Sequence, residues 1–118
     1  MIVGLGVDVV DLARFERAVS RTPRLRERLF AESERSLPLR SLAARFAAKE
    51  ALVKALGDAE DVRWVDMEIA SDATGNPSFV VEGPLGALLA RRGIGALHVS
   101  MSHDAGVAVA TVVAERLP

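Results

Sequence analysis

Two lysines and a glutamate lie within one short segment of the chain. Lys49 and Lys54 are the only lysines, whereas the other thirteen of the fifteen basic residues are arginine. A lysine ammonium is a compact point charge on a flexible stem, and an arginine guanidinium is a wide planar fork. With Glu50 between them, the two lysines indicate metal-assisted handling of a phosphate, although they could also fall close together by chance.

Asp8 lies inside an apolar segment that predicts a strand. Because residues two apart share a face of a strand, Gly4, Gly6 and Asp8 face one way. The two glycines are expected to leave open space beside the carboxylate. A carboxylate in such a strand is costly unless it is paired or bound to a metal. The alternative is that Asp8 caps the next helix or pairs with an arginine.

Glu50 lies on a helical stripe that we expect to face the core, shared with Ala43, Phe46, Ala47 and Val53. Lys54 is one turn further along, so an exposed ion pair between the two is the alternative. Two carboxylates from different elements, without a sulfur or histidine cluster, suit Mg²⁺, which commonly adds substrate phosphates and water to its shell.

Both histidines lie in one segment, His98 to Asp104, which covers the end of a predicted strand. His103, at the end of that strand, is well placed to touch a phosphate or a hydroxyl, although a histidine there is more often structural. The chain lacks the Gly-x-Ser-x-Gly elbow of serine hydrolases and the third glycine of a dinucleotide fingerprint.

Arginines form a basic cluster in the first quarter of the chain. Arg14, Arg17 and Arg21 share a helix face, and three more follow at Arg24, Arg26 and Arg28. This local charge fits an acidic protein or a phosphorylated ligand, with a solvated helix face as the alternative.

The elements that would position these residues indicate an α+β fold with a mainly antiparallel sheet, built as a single domain over residues 1–118. The predicted strands are 2–10, 65–70, 78–82, 96–102 and 106–114. The predicted helices are one that Asp11 caps and that runs to about residue 21, then 23–29, 38–57 and 84–92, with a weaker helical turn over 32–37.

Composition narrows the class of protein. The net charge is -1, so there is no global attraction to nucleic acid or membranes, and one Trp and four Phe offer few platforms for stacking bases. There is no cysteine, and we see neither a leader nor a membrane-spanning stretch. A cytoplasmic protein is expected.

Three segments, in this order, resemble the holo-acyl-carrier-protein synthases, the small class of 4′-phosphopantetheinyl transferases. They are Gly4–Val9 with Arg14, Arg45–Ala51 with Lys54–Gly57, and His98–His103. The resemblance implies the 4′-phosphopantetheinyl transferase fold, with the sheet packed on one long helix, and a homotrimer with coenzyme A in clefts between subunits. It also implies transfer of phosphopantetheine from coenzyme A to a serine of apo acyl carrier protein, releasing adenosine 3′,5′-bisphosphate, in fatty acid biosynthesis.

The resemblance assigns roles to the residues of the site. Asp8 and Glu50 would be the Mg²⁺ ligands, and Lys54 would stabilise charge on the reacting phosphate. The base that takes the serine proton stays open between a metal-bound water, Glu50 and Asp104. His103 joins this catalytic set.

Substrate contacts are assigned in the same way. Arg45, Lys49 and His103 would contact the nucleotide part of coenzyme A. The docking face for the carrier protein would be Arg14, Arg21 and Arg24. The chain departs from the family pattern at two positions, with Asn76 where a lysine is common and Val107 where Tyr is common.

Two other functions remain open from the residues. The same carboxylates would serve an Mg²⁺-dependent nucleotide pyrophosphohydrolase, with water as the nucleophile. The arginine cluster would also suit a non-catalytic module that binds an acidic protein.

Overall fold

The structure is a computed structural model that describes residues 1–118. Its strands are β1 (Ile2–Asp11), β2 (Ile69–Ser71), β3 (Pro77–Phe79), β4 (Ala96–Asp104) and β5 (Val107–Glu115). Its α-helices are α1 (Leu12–Arg21), α2 (Leu25–Leu29), α3 (Leu39–Leu56) and α4 (Gly83–Arg91). None of these helices combines the length and the apolar character needed to cross a bilayer.

The strands form two antiparallel sheets, which confirms the predicted α+β class. The larger sheet has the order β1-β5-β4, and β2 pairs only with β3. The turn between β4 and β5 has two residues, Ala105 and Gly106, at φ of 51° and 80°. Such a turn matches the twist of its strands and lets β4 run two residues beyond the predicted end.

The long helix α3 packs directly on β1 and β5, as predicted. A Cβ at Gly4 would lie 2.0 Å from the carbonyl oxygen of Ala55, and one at Gly6 would lie 1.9 Å from that of Ala51. The expectation of open space beside Asp8 was therefore wrong, because the helix backbone occupies it. The glycines instead let β1 and α3 approach each other closely.

Both ends of α3 agree with the sequence prediction. Pro38 precedes the first turn with φ of -58°, and Gly57 ends the helix at φ of 79° while its N–H donates to the Val53 carbonyl at 2.9 Å. Arg92 donates to the Leu56 carbonyl at 2.7 Å and so satisfies one of the free carbonyls at the helix C-terminus.

The segment 65–70 differs from its prediction as a strand. Its first part is a 3₁₀ turn, Trp64–Asp66, and β2 begins only at Ile69. The Asp66 carboxylate accepts from the Arg63 backbone N–H at 2.9 Å, which closes the turn. A local hydrogen bond to a side chain thus stabilises a turn where the alternation of apolar and polar residues had predicted a strand.

Other boundaries shift slightly. β3 ends at Phe79 rather than at residue 82, and α2 starts at Leu25 because Arg24 adopts a left-handed φ of 70°. The turn over 32–37 is present, with the Leu37 N–H donating to the Glu34 carbonyl at 3.1 Å.

The face of the larger sheet turned away from α3 is apolar and open, and we call it the outer sheet face. On β1 it carries Val3, Leu5, Val7 and Val9, which are 39%, 66%, 53% and 59% exposed. An apolar sheet face of this kind is typical of a surface covered by another protein.

Candidate functional site

The structure brings Asp8 and Lys54 into direct contact where β1 crosses α3. The Lys54 ammonium donates to Asp8 Oδ1 at 2.9 Å and to the Val7 carbonyl at 3.1 Å. The Asp8 side chain is 12% exposed and that of Lys54 is 57% exposed. Asp8 lies two residues beyond Gly6 on the same strand face, so the close helix–strand contact is what sets this pair.

Glu50 lies beside this pair, half-buried, and its carboxylate accepts no hydrogen bond from the protein. Burial, followed by the negative charge of Asp8, raises the pKa of Glu50, and the nearby Lys54 offsets part of this effect. Lys54 supplies one positive charge beside two carboxylates, and Glu50 has no hydrogen-bond donor, so the site could accept a further cation.

This donor set fits the predicted Mg²⁺. Carboxylate oxygens are the ligands that a hard cation prefers. No group of three or more His, Cys, Asp or Glu side chains could hold a metal ion. Asp8 and Glu50 could supply two ligands to such a cation, and substrate oxygens and water would then complete its shell, as is usual for Mg²⁺ in phosphate-binding sites.

A cleft of about 290 Å³ opens next to these carboxylates. Asp8 and Glu50, Phe15 and Phe46, and Arg14 from α1 are among the residues that line it. The two rings pack with centroids 5.9 Å apart. On the Glu50 stripe, Ala43 and Ala47 are buried as predicted, whereas Phe46 is half-buried and forms part of the cleft.

A second, larger groove of about 730 Å³ lies on the far side of Phe46. Its apolar lining includes Val53, Val62, Trp64 and Met67. Trp64 packs on Phe46 with ring centroids 5.5 Å apart and so separates the two clefts. This groove was not predicted from the sequence, in which the single tryptophan is the only residue that could have indicated it.

Lys49 and Arg45 point away from the two carboxylates. Lys49 is 0% exposed, and its ammonium donates to Leu29 O, Glu34 Oε1 and Trp64 O. All three ammonium hydrogens of Lys49 are used in hydrogen bonds within the protein, so a direct nucleotide contact by Lys49 does not agree with this structure. Arg45 is buried too and donates to Ser71 Oγ at 3.2 Å, while its Nε has no hydrogen-bond partner.

His103 and Asp104 lie exposed at the end of β4, apart from Lys54 within one chain. His103 pairs with Ala108, and Ala108 pairs with Val10 on β1. Two strand spacings, about 10 Å, therefore separate His103 from β1. Asp104 accepts from the Ala105 N–H at 2.9 Å and so takes part in the turn.

The predicted docking arginines, Arg14, Arg21 and Arg24, are exposed. Arg17, on the same helix as Arg14 and Arg21, is exposed too, and none of the four forms an ion pair. We call these four residues the arginine face. Arg26 turns inward instead and donates to the Arg35 carbonyl at 3.1 Å.

The two departures from the family pattern lie outside the carboxylate cluster. Asn76 donates to Asp72 Oδ2 and to Thr74 Oγ1 within its own turn, at 3.3 Å and 2.9 Å. Val107 is the first residue of β5.

Comparison with known proteins agrees with this fold. Residues 4–112 match the 4′-phosphopantetheinyl transferase superfamily. A holo-[acyl-carrier-protein] synthase of Leifsonia xyli subsp. xyli is 64% identical over 116 residues, covering 98% of each chain. The corresponding protein of Clavibacter sepedonicus is 62% identical over 115 residues, covering 98% of this chain and 97% of the relative.

Solved structures give the same result. The crystal structure of holo-[acyl-carrier-protein] synthase from Neisseria meningitidis superposes with a TM-score of 0.89 at 35% identity, covering 98% of this chain and 99% of that one. The synthase from Bacillus anthracis, in complex with CoA (3′,5′-ADP), gives 0.81 at 33% identity and covers 99% of both chains.

The α+β fold packed on one long helix is the fold of the solved holo-[acyl-carrier-protein] synthases. The chain belongs to the 4′-phosphopantetheinyl transferase superfamily. The resemblance drawn from its three motifs is thereby confirmed.

Proposed function

We propose that the protein transfers 4′-phosphopantetheine from coenzyme A to a serine of apo acyl carrier protein, with Mg²⁺, in the cytoplasm. Adenosine 3′,5′-bisphosphate leaves, and the product serves fatty acid biosynthesis. The observation that carries this proposal is the contact of Lys54 with Asp8 beside the donor-free carboxylate of Glu50. The choice of substrates follows the relatives that are named as holo-acyl-carrier-protein synthases.

In this proposal Asp8 and Glu50 would hold Mg²⁺, which when bound neutralises charge on the pyrophosphate of coenzyme A. Lys54 holds a second positive charge at the same place. Its side chain is 57% exposed, so it is accessible to a phosphate entering from solvent. Its ammonium would then stabilise the charge that develops on the phosphate under attack.

The base that takes the serine proton has two protein candidates. Glu50 lies in the site of the same chain, beside Asp8 and Lys54. Asp104 lies at the distant end of β4, so it could act only in the site of a neighbouring copy.

The arginine face supports an acidic protein as the acceptor substrate. Its four arginines are exposed and unpaired, and one of them, Arg14, also lines the cleft that holds Asp8 and Glu50. A carrier docked on this face would therefore place its serine next to the two carboxylates.

The outer sheet face supports assembly into the expected homotrimer. Its exposed valines and leucine on β1 would be covered by neighbouring copies. Such an assembly would bring His103 and Asp104 of one copy toward the site of the next, which a single chain does not do. Coenzyme A would then lie between copies, with its less polar parts along the groove beside Val53 and Trp64.

One experiment tests the activity. The protein is incubated with coenzyme A, Mg²⁺ and a cognate apo carrier protein, and the carrier is then weighed by mass spectrometry. A carrier heavier by one phosphopantetheine supports transfer. Coenzyme A that is cleaved without a change in the carrier would show a pyrophosphohydrolase instead. No change in either substrate would leave a non-catalytic binding module.

A matched pair of variants makes this experiment specific to the site. Glu50→Gln removes a proposed Mg²⁺ ligand, and we expect it to lose nearly all transfer while it folds normally. Glu32→Gln makes the same change at an exposed position outside the cleft, and we expect the wild-type rate. Full activity in Glu50→Gln would refute the proposed metal site.

A further inference from the structure

A buried group of charges lies behind the site and takes no part in the chemistry proposed above. Glu34, Lys49 and Arg45 are only 1%, 0% and 8% exposed. Ions removed from water are costly to the fold unless close partners compensate them. Their partners therefore show what this group holds together.

Lys49 connects three separate segments of the chain. Its ammonium donates to the Leu29 carbonyl at 2.7 Å, to Glu34 Oε1 at 2.7 Å and to the Trp64 carbonyl at 3.1 Å. Leu29 is the last residue of α2, and Trp64 belongs to the 3₁₀ turn that lines the larger groove. A single ammonium on α3 thus anchors both the end of α2 and the 3₁₀ turn.

Glu34 extends this connection. Its Oε1 also accepts from the Ala31 N–H at 3.0 Å, and its Oε2 accepts from the Ile69 N–H at 3.2 Å. The pair of Glu34 and Lys49 therefore joins the end of α2, the turn that follows it, α3 and the start of β2.

This connection links the part of α3 that carries Glu50 to the part of the chain next to Arg24. Lys49 immediately precedes Glu50 on α3. The helix α2, whose last carbonyl Lys49 holds, starts next to Arg24 of the arginine face. Arg35 strengthens the same anchorage by donating to the Phe30 carbonyl at 3.0 Å.

We propose that Glu34 and Lys49 are positioning residues that fix α2, which begins next to Arg24 of the arginine face, relative to Glu50. This inference rests on the proposed function. Apolar side chains of similar volume often stabilise a core as well as a buried ion pair does. The hydrogen bonds of this pair, however, each point to a particular backbone atom, and they therefore hold α2 at one distance from the two carboxylates. A displacement of about 1 Å between docking surface and reacting groups is enough to cost about a hundredfold in rate.

The double variant Glu34→Gln/Lys49→Met tests the pair. It removes both charges of the pair and leaves Arg45, whose Nε lies 3.6 Å from Glu34 Oε2, with Ser71 Oγ as its side-chain partner, so folding is checked by circular dichroism before the assay. We expect kcat/KM for the carrier to fall by about tenfold or more. The KM for coenzyme A should stay within about twofold, because Asp8, Glu50 and Lys54 are unchanged. Hydrogen exchange at the Arg28 and Phe30 amides should become faster, with the Ala51 amide on α3 unaffected.

The control is Glu32→Gln/Arg40→Met, which makes the same two changes at exposed positions without side-chain partners in the structure. It should behave as the wild type. If the double variant folds but keeps its carrier kcat/KM, or loses affinity for both substrates equally, the positioning role is overturned.

A second variant keeps the test open if the double variant does not fold. Glu34→Asp keeps both charges but shortens the side chain, so it cannot hold all of its partners. The same selective loss toward the carrier is expected, and an unchanged kcat/KM for the carrier would refute the proposal. Absence of transfer by the wild-type protein would instead refute the proposed function, whereas the exchange measurement still reports whether the pair anchors α2.

Discussion

Replacing Gly6 with alanine tests whether the close contact of β1 with α3 builds the site. A Cβ at this position would lie 1.9 Å from the Ala51 carbonyl oxygen and 2.8 Å from the Ala55 nitrogen. Real Cβ contacts essentially never fall below 3.0 Å, so the strand and the helix must move apart by about 1.1 Å, the difference between 3.0 and 1.9 Å. The colliding atoms belong to the helix backbone and cannot rotate away.

The size of the effect follows from this displacement. Overpacking a close-packed interior costs about 1–3 kcal/mol, and a backbone collision belongs at the upper end, about 3 kcal/mol. For a domain of this size that lowers the unfolding temperature by roughly 10 °C. The same movement carries Asp8 away from Glu50 and Lys54. We therefore expect kcat/KM for the carrier to fall by about a hundredfold.

Thermal unfolding at matched subunit concentration and the carrier mass assay measure the two effects. The control is Gly86→Ala on α4, where the nearest atom to the new Cβ is the Val81 carbonyl carbon at 3.6 Å, an ordinary contact. Alanine there should raise the free energy of unfolding by up to about 1 kcal/mol and leave the rate unchanged. If Gly6→Ala unfolded within about 2 °C of the wild type and kept its activity, the close packing could not be what sets the site.

Three further predictions concern the charges of the site. Because the pKa of Glu50 is raised in the folded protein, the free energy of unfolding falls as pH rises from the unfolded value near 4.5 through the folded pKa. Without metal, Glu50→Gln should therefore be more stable than the wild type at pH 7, and the difference should vanish near about pH 4 in thermal unfolding; a more stable wild type at pH 7 would contradict this. Lys54→Gln should lower kcat by about 10²–10³-fold in steady-state assays and change the free energy of unfolding by less than about 1 kcal/mol, because the pair with Asp8 is partly exposed. Arg21→Glu should raise the KM for the carrier, and this difference should shrink as salt is added; an effect that ignores salt would speak against docking by charge.

The sequence predicted the elements of the site better than their surroundings. Alternation along β1 placed Gly4, Gly6 and Asp8 on one face, as the structure has them. Alternation does not show what covers a face, and for that reason the two glycines were interpreted as open space. The covering element, α3, comes some forty residues later in the chain.

The two lysines show the same limit. Periodicity along α3 placed Lys54 one turn from Glu50, and the structure brings Lys54 to Asp8 across two elements. The partner of Lys49 is Glu34, fifteen residues earlier in a turn. No local pattern links these two positions, so the burial of Lys49 could be found only from the folded chain. In the same way, the 3₁₀ turn depends on a hydrogen bond from the Arg63 N–H to the Asp66 side chain, which the alternation of apolar and polar residues does not reveal.

The difference in exposure between the two lysines has a practical consequence for chemical labelling. Lys49 is 0% exposed, whereas the Lys54 side chain is 57% exposed. An amine-selective acylating reagent should therefore find a single reactive lysine, besides the amino terminus, and it lies at the proposed phosphate-binding site. Acylation would remove its positive charge, so one modification both marks and inactivates the site. Protection of Lys54 by coenzyme A would then report occupancy of the site without any measurement of turnover.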